Sequence, residues 1–374
     1  GQQLAEGLDF YGFIKSLILG GMILGLYTGL LGYVGAKTGL SMDLLAKRAF
    51  GEKGSYISSA MISFTQIGWF GVGVAMFAIP VANELLGAMW GLVIVAGGCM
   101  TASAYFGIDS LTLISYIAVP LVAVLGTVAM ILAVQRGDGT IIDQFAKSSG
   151  TISVIGGAGM VVGSFVSGGT ATPNFARFAK DAKSGTIATV VAFFIGNSLM
   201  FFFGAIAYIF VGGNDIFEVM IRLNLFYLAI LVLGLNIWTT NDNALYSSGL
   251  GLANIFNQKK KPMVLIAGIV GTLLSVWLYY NFCNWLNVLN CTLPPVGIIL
   301  VISYFMNQKD YEKTDENLET VNWFAVAGVV IGAIVANVVS WGIASINGMV
   351  VAAVCYVIGQ MVRKNEAGNE CIDS

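Results

Sequence analysis

The chain has 374 residues, of which 57% are hydrophobic and 10% charged, and its mean hydropathy is +0.83. Soluble domains carry about 25% charged residues, so this composition excludes a water-facing shell and puts the outer surface against a lipid bilayer. A net charge of −2 without any histidine argues against nucleic-acid binding and against a histidine metal site or proton relay.

A transmembrane helix needs about 20 mostly apolar residues. In chain order the apolar runs predict spans over 10–36, 55–86, 88–107, 109–134, 152–180, 184–212, 222–256, 262–281, 282–306, 321–342 and 345–362. Gly1–Asp9 reads as a polar loop. The 152–180 run is interrupted by Ser167-Gly168-Gly169-Thr170 and Pro173, and the 282–306 run by Asn290 and Pro294-Pro295. The 222–256 run is long for one crossing and carries the polar stretch Asn236–Asn243. Abundant glycine fits close helix packing in lipid. The five cysteines (Cys99, Cys283, Cys291, Cys355 and Cys371) lack CxxC spacing and read as small apolar residues.

Lys and Arg favour the cytoplasmic side of a membrane. One set of alternating loops holds Lys37 to Lys53, Arg177 to Lys183, Lys259 to Lys261, Lys309 with Lys313, and Arg363 with Lys364. The opposite set holds Lys15, Arg136, Lys147 and Arg222. The C-terminus is therefore expected in the cytoplasm. Eleven crossings then put Gly1 outside, and the simplest expectation is a twelfth helix preceding Gly1. The alternative is an eleven-helix protein with its N-terminus outside.

Three polar clusters stand out within the apolar runs. Irregular backbone at membrane depth leaves costly unpaired N–H and C=O groups, and secondary transporters place their sites at such breaks. The Ser167–Pro173 segment is the strongest such break, since a plain kink requires only the proline. On 222–256, Asn236, Thr239 and Thr240 share a helix face by their spacing, an oxygen-only set suited to a hard monovalent cation. Asp242 lies about 100° further round the helix and serves either as a polar anchor or as a proton site. In Thr65–Gly71, Gln66 and Trp69 lie on one face. A carboxamide that donates and accepts beside a large aromatic plane is what a flat polar heterocycle requires. No nucleophile–base pair or metal constellation points to an enzyme, and no segment implies an obligatory protein partner.

The stretches YVGAKTGLS (33–41), TQIGWFGVGVAMFAIP (65–80), GSFVSGGTATPNFARFAK (163–180), GNSLMFFFGA (196–205), LGLNIWTTNDNALYSSGLG (233–251) and PPVGIILVISYFMN (294–307) together resemble the nucleobase:cation symporter family, most closely its bacterial cytosine permease branch. The resemblance implies an all-α, LeuT-like fold of two inverted five-helix repeats plus two C-terminal helices. Residues 1–134 would be the remainder of the first repeat, lacking its first helix. Residues 135–306 would form the second, and 307–374 a cytoplasmic loop, the two extra helices and the tail.

By the same resemblance the protein would be a secondary transporter of the bacterial inner membrane. It would import cytosine with sodium by alternating access. Trp69 and Phe165 would sandwich the base. Gln66 would bond its edge, helped by Ser164, Ser167 or main-chain groups exposed at Gly168 and Gly169. Asn241 would serve the substrate or helix packing, and Asn236, Thr239 and Thr240 would face the sodium ion. The alternatives are proton coupling through Asp242 and a related purine, hydantoin or allantoin as substrate.

Overall fold

Apolar runs with few charges leave the backbone no partner in lipid except itself, and the chain is accordingly helical almost throughout. The structure, a computed structural model, describes residues 1–85, 87–212, 216–311 and 318–370, giving the backbone alone at 216, 282–290, 310 and 364–370. In order the helices are α1 (Gln2–Gly7), α2 (Phe10–Thr38), α3 (Met42–Phe50), α4 (Ser55–Leu85), α5 (Met89–Phe106), α6 (Ile108–Arg136), α7 (Ile141–Phe145), α8 (Val154–Thr170) and α9 (Pro173–Ala176). They continue with α10 (Ala182–Val190), which passes through a π-helical turn at Val191–Gly196 into α11 (Asn197–Val211). Then come α12 (Ile216–Arg222), α13 (Phe226–Phe256), α14 (Lys260–Tyr280), α15 (Phe282–Met306), a short 3-10 turn at Gln308–Tyr311, α16 (Trp323–Val338) and α17 (Ala344–Glu370).

Each expected span meets a helix, with differences that have physical causes. Among the described residues, seven helices are long and apolar enough to cross a membrane: α2, α4, α5, α6, the continuous Ala182–Val211 stretch, α14 and α17. Val154–Thr170, Cys291–Met306 and Trp323–Val338 are apolar but shorter. Helix α13 is 31 residues long, but its polar run lowers its hydropathy below that of a plain span. The expected loop at Gly1–Asp9 is instead largely helical, because Leu4, Ala5 and Leu8 bury themselves against Phe13, Phe145 and Ala205. The expected interruption of 282–306 is absent: α15 runs unbroken with Pro294 and Pro295 inside it. The side chains of Asn290 and Cys283, and all of Lys313 and Cys371, lie outside the described residues.

The chain divides into two compact units, each assembled from separate stretches. The first comprises Gly1–Gly21, Ser63–Val161 and Ile195–Trp285; the second comprises Met22–Ile62, Val162–Phe194 and Leu286–Ser374.

In the first unit one core joins Phe70, Val74 and Ala78 of α4 to Val93 and Met100 of α5, Leu245 of α13 and Val264 of α14. Helices α5 and α14 approach by a reciprocal exchange. A side chain on Gly97 would collide with Thr272, and one on Gly268 with Thr101. Each threonine hydroxyl in turn donates to the carbonyl of the glycine four residues earlier on its own helix, Thr101 to Gly97 at 2.6 Å and Thr272 to Gly268 at 2.7 Å. Small residues bring backbones together in lipid, where no hydrophobic force does so.

In the second unit the core gathers Leu24, Leu31 and Val34 of α2, Leu45 and Phe50 of α3, Val166 of α8 and Val296 and Leu300 of α15 around Tyr304 and Tyr356. The loop helix α3 begins at an N-cap, Ser41, whose side chain accepts from Leu44 N. Its far end is strapped by residues 319–322: Glu52 N donates to Glu319 O, Lys53 N to Thr320 O, and Asn322 N to Phe50 O.

Candidate functional site

Helix α4 carries the Thr65–Gly71 cluster without interruption. Gln66 is buried, and its Nε2 has no hydrogen-bond partner among the described residues. A buried amide left with an unused donor costs roughly 1–3 kcal/mol. Trp69, one turn further on, is half-buried and packs on the core of its unit. The amide and the indole thus occupy one face of a rigid helix, as the i, i+3 spacing predicts.

Helix α13 keeps regular geometry straight through Asn236–Asn243, and its polar side chains divide into two groups. Thr239 and Thr240 donate their hydroxyls to the main-chain oxygen of Asn236, at 3.0 and 2.9 Å. That oxygen is already occupied, so what the face offers a cation is the lone pairs of the two hydroxyls, with the Asn236 side chain exposed beside them. The other group faces the protein. Asn241 is buried, and its Nδ2 donates to Phe70 O of α4 and to the Met100 sulfur of α5, each at 3.2 Å. Gly73 lies so close to the Asn241 amide that no larger residue fits there. Of the two roles open to Asn241, packing is the one with visible contacts.

Asp242 sits beside it, also buried. Trp238 Nε1 donates to Ser103 Oγ at 2.9 Å, and Ser103 Oγ donates to Asp242 Oδ1 at 2.6 Å. The second oxygen, Oδ2, has no partner among the described residues. Ser103 was not singled out by the sequence. Its role depends on α5 lying against α13, which no local pattern announces.

In the second unit, the break falls at the C-terminal end of the expected Ser167–Pro173 segment. Helix α8 continues through Ser167, Gly168 and Gly169 to Thr170, and the chain turns at Ala171 and Thr172 before the single turn of α9. The main-chain oxygens of Gly168 and Gly169, expected to be exposed, accept instead from Ala171 N at 3.0 Å and Thr172 N at 3.1 Å. The cause is Pro173: it has no N–H for the Gly169 carbonyl, so the last turn tightens to satisfy that oxygen locally. Thr170 anchors the helix end, donating to Val166 O at 2.9 Å and bonding Tyr27 Oη of α2 at 2.7 Å. Tyr27, too, escaped the sequence reading, since its partner is remote in the chain.

Upstream of the break, Phe165 is half-buried and meets Phe193 edge-on, with centroids 6.1 Å apart. Ser167 is buried and Ser164 half-buried. A side chain on Gly168 would meet only the Phe165 ring, at ordinary contact distance, so the surface there is open. Gln66, Trp69, Asn236, Thr239, Thr240 and Asn241 therefore belong to the first unit, and Ser164, Phe165, Ser167 and Gly168 to the second.

The chain is similar to solved transporters along nearly its whole length. Mhp1, a nucleobase-cation-symport-1 family transporter in a closed conformation with bromovinylhydantoin bound, superposes with a TM-score of 0.80 at 17% identity, over 96% of this chain and 87% of that one. A Na+-coupled sialic acid symporter in a substrate-bound outward-open state gives a TM-score of 0.67 at 15% identity, over 95% and 83%. These likenesses establish the fold as LeuT-like. The cytosine permease of Escherichia coli strain K12 is 44% identical over 361 residues, which span 96% of this chain and 85% of that protein. The same figures hold for the cytosine permease of E. coli O157:H7. The match to the family described as permease for cytosine/purines, uracil, thiamine and allantoin runs over residues 1–359. A multi-pass membrane architecture, a transporter fold and this match agree, and the chain belongs to that permease family.

Proposed function

We propose that the protein imports cytosine across the bacterial inner membrane by sodium-coupled symport, with its C-terminus on the Lys- and Arg-rich cytoplasmic side. The observation that carries this reading is the buried Nε2 of Gln66, without a partner among the described residues, one turn from Trp69. Cytosine is planar and uncharged at neutral pH, so its site needs hydrogen bonds and aromatic faces rather than a counter-ion. Support for the choice of base comes from the 44% identity to the E. coli cytosine permease.

Gln66 bonds the edge of the base while Trp69 and Phe165 stack on it, each base–aromatic contact contributing about 1–3 kcal/mol. Ser164, Ser167 and the open surface at Gly168 complete the polar contacts, and Asn241 holds α4 and α5 in place behind Gln66. Sodium is bound by Asn236, Thr239 and Thr240. Its effect on cytosine affinity is reciprocal, since each ligand favours the conformation the other prefers. Residues 1–134 and 135–306 act as the two inverted repeats, with 307–374 as the C-terminal addition, and the repeats rock about a fixed site. The base leaves chemically unchanged, so labelled cytosine taken up into vesicles is recovered as cytosine.

A second coupling mode, by protons, is favoured by one observation: Asp242 Oδ2 is buried without a partner among the described residues. The deciding experiment uses the purified protein in proteoliposomes. Labelled cytosine uptake is measured with and without a sodium gradient at fixed pH, against a panel of competing nucleobases, hydantoins and allantoin. Uptake indifferent to sodium would remove the ion assignment, and stronger competition by another compound would replace cytosine.

A further inference from the structure

The buried carboxylate of Asp43 belongs to no part of the proposed site. It lies in the first turn of α3, outside the membrane-spanning helices, and is almost wholly buried within the second unit. Its Oδ1 accepts from Ser59 Oγ of α4 at 2.6 Å, and its Oδ2 has no partner among the described residues. Next to it, Met42 N donates to Asn174 Oδ1 of α9 at 2.9 Å. Thr172 Oγ1, at the break between α8 and α9, and Asn174 Nδ2, in α9, are likewise buried without partners among the described residues. Helix α3 is thus pinned at its start to the segment after the break and at its end to the 319–322 strap, with an under-satisfied acid at the first pin.

We propose that Asp43 is a proton-linked positioning residue: neutral, it fits the packing of α3 on α4 and α9, and ionised, it favours their separation. Two facts set the direction. A neutral carboxylic acid offers a donor at the oxygen that now lacks one, whereas the ionised form keeps a charge out of water. Burial, the largest influence, pushes the Asp43 carboxyl up to about 6 from 3.8. The Ser59 hydroxyl, the residue's own main-chain N–H, Arg177 and Lys47 pull the other way and only partly offset it. These are the groups acting on it: Ser59 from α4, Arg177 from just beyond α9, and Lys47 from its own helix. In a hydrated, separated state the acid regains its ordinary value. Protons therefore bind the packed state more tightly, and packing weakens as pH rises through about 6.

The inference rests on the transport reading, in which the repeats rock about a fixed site, but its test does not require cytosine. Hydrogen–deuterium exchange of the full chain in lipid is followed in the peptides covering 42–50 and 173–178 at about pH 5 and about pH 7.5, corrected for intrinsic exchange. The wild type should be protected on the order of tenfold more at the lower pH, and Asp43→Asn, permanently neutral, should show the low-pH protection at both. A pH response that persists in Asp43→Asn, or is absent from the wild type, overturns the proposal. Should Asp43→Asn fail to fold, Arg177→Gln serves: losing the cation must move the wild-type transition to higher pH, and an unmoved transition also overturns it. Failure of labelled cytosine to enter vesicles would sink the transport reading while leaving these exchange results intact.

Discussion

Helices α13 and α8 both carry a dense polar run inside an apolar stretch, yet one is unbroken and the other ends. Seven of the eight residues Asn236–Asn243 of α13, all but Ile237, are polar or amphipathic, and the helix ignores them. Thr239 and Thr240 bond a carbonyl of their own helix, while Trp238, Asn241 and Asp242 find partners on α4 and α5. In α8 the polar residues are not the cause of the break either, since Ser167 and Thr170 both lie within the helix. It stops where Pro173 withholds the N–H that Gly169 needs. What ends a helix in lipid is a missing backbone donor without a local remedy, and polarity by itself is tolerated when each group has an address. Proline alone is not sufficient: Pro80, Pro120, Pro294 and Pro295 all sit inside continuous helices. Pro173 lies four residues after Gly169 of a Gly-Gly pair, which lets the last turn of α8 tighten.

The contrast can be broken experimentally in four places. The largest effect is expected on the continuous-helix side, at the proposed pocket. Trp69→Ala removes a stacking face and Gln66→Ala its amide partner, and each should reduce cytosine uptake by at least ~10-fold at unchanged expression. Wild-type uptake by both variants would remove the pocket from α4. Next, Pro173→Ala restores the missing donor. Exchange at 171–176 should slow as α8 extends into α9, and uptake should fall several-fold because the chain no longer turns between α8 and α9. An unchanged exchange pattern would mean that the proline does not cause the break.

On α13, Thr239→Ala or Thr240→Ala should raise the sodium concentration for half-maximal uptake by roughly tenfold, the loss of one ligand to a weakly held cation. Unaltered sodium dependence would return both threonines to a purely structural role. The smallest effect is expected from Ser103→Ala, which cuts the Trp238–Ser103–Asp242 chain. A loss of about 1–3 kcal/mol for the orphaned buried groups should appear as a lowered Tm in detergent, with sodium dependence kept if coupling does not run through Asp242.

Most of the architecture was legible because lipid imposes one rule on the backbone, and apolar runs such as those of α4, α6 and α14 meet it without help from partners. The reading failed where the answer depends on remote contacts. Gly1–Asp9 looked polar by composition, but Leu4 and Leu8 find Phe13 and Phe145 only once the fold is made. Asn290 and Pro294-Pro295 looked like a break because a window of sequence cannot tell whether neighbouring helices compensate a lost donor. In the candidate site, Gln66 and Trp69 were legible from their spacing on one helix. Ser103 and Tyr27 were not, since each gains its meaning from a partner more than a hundred residues away. Gly168 and Gly169 were read as open backbone, and the structure closes their carbonyls into the helix end.

The exchange between Gly97 and Thr272 and between Gly268 and Thr101 has a mechanical consequence. Each threonine is a tooth and each glycine a notch, and the two pairs point in opposite directions across one joint. Sliding α14 along α5 by a single residue, about 1.5 Å, would drive both teeth out of their notches at once. The two helices are keyed in register and travel as one piece, so any displacement of this pair has to be taken up at its ends.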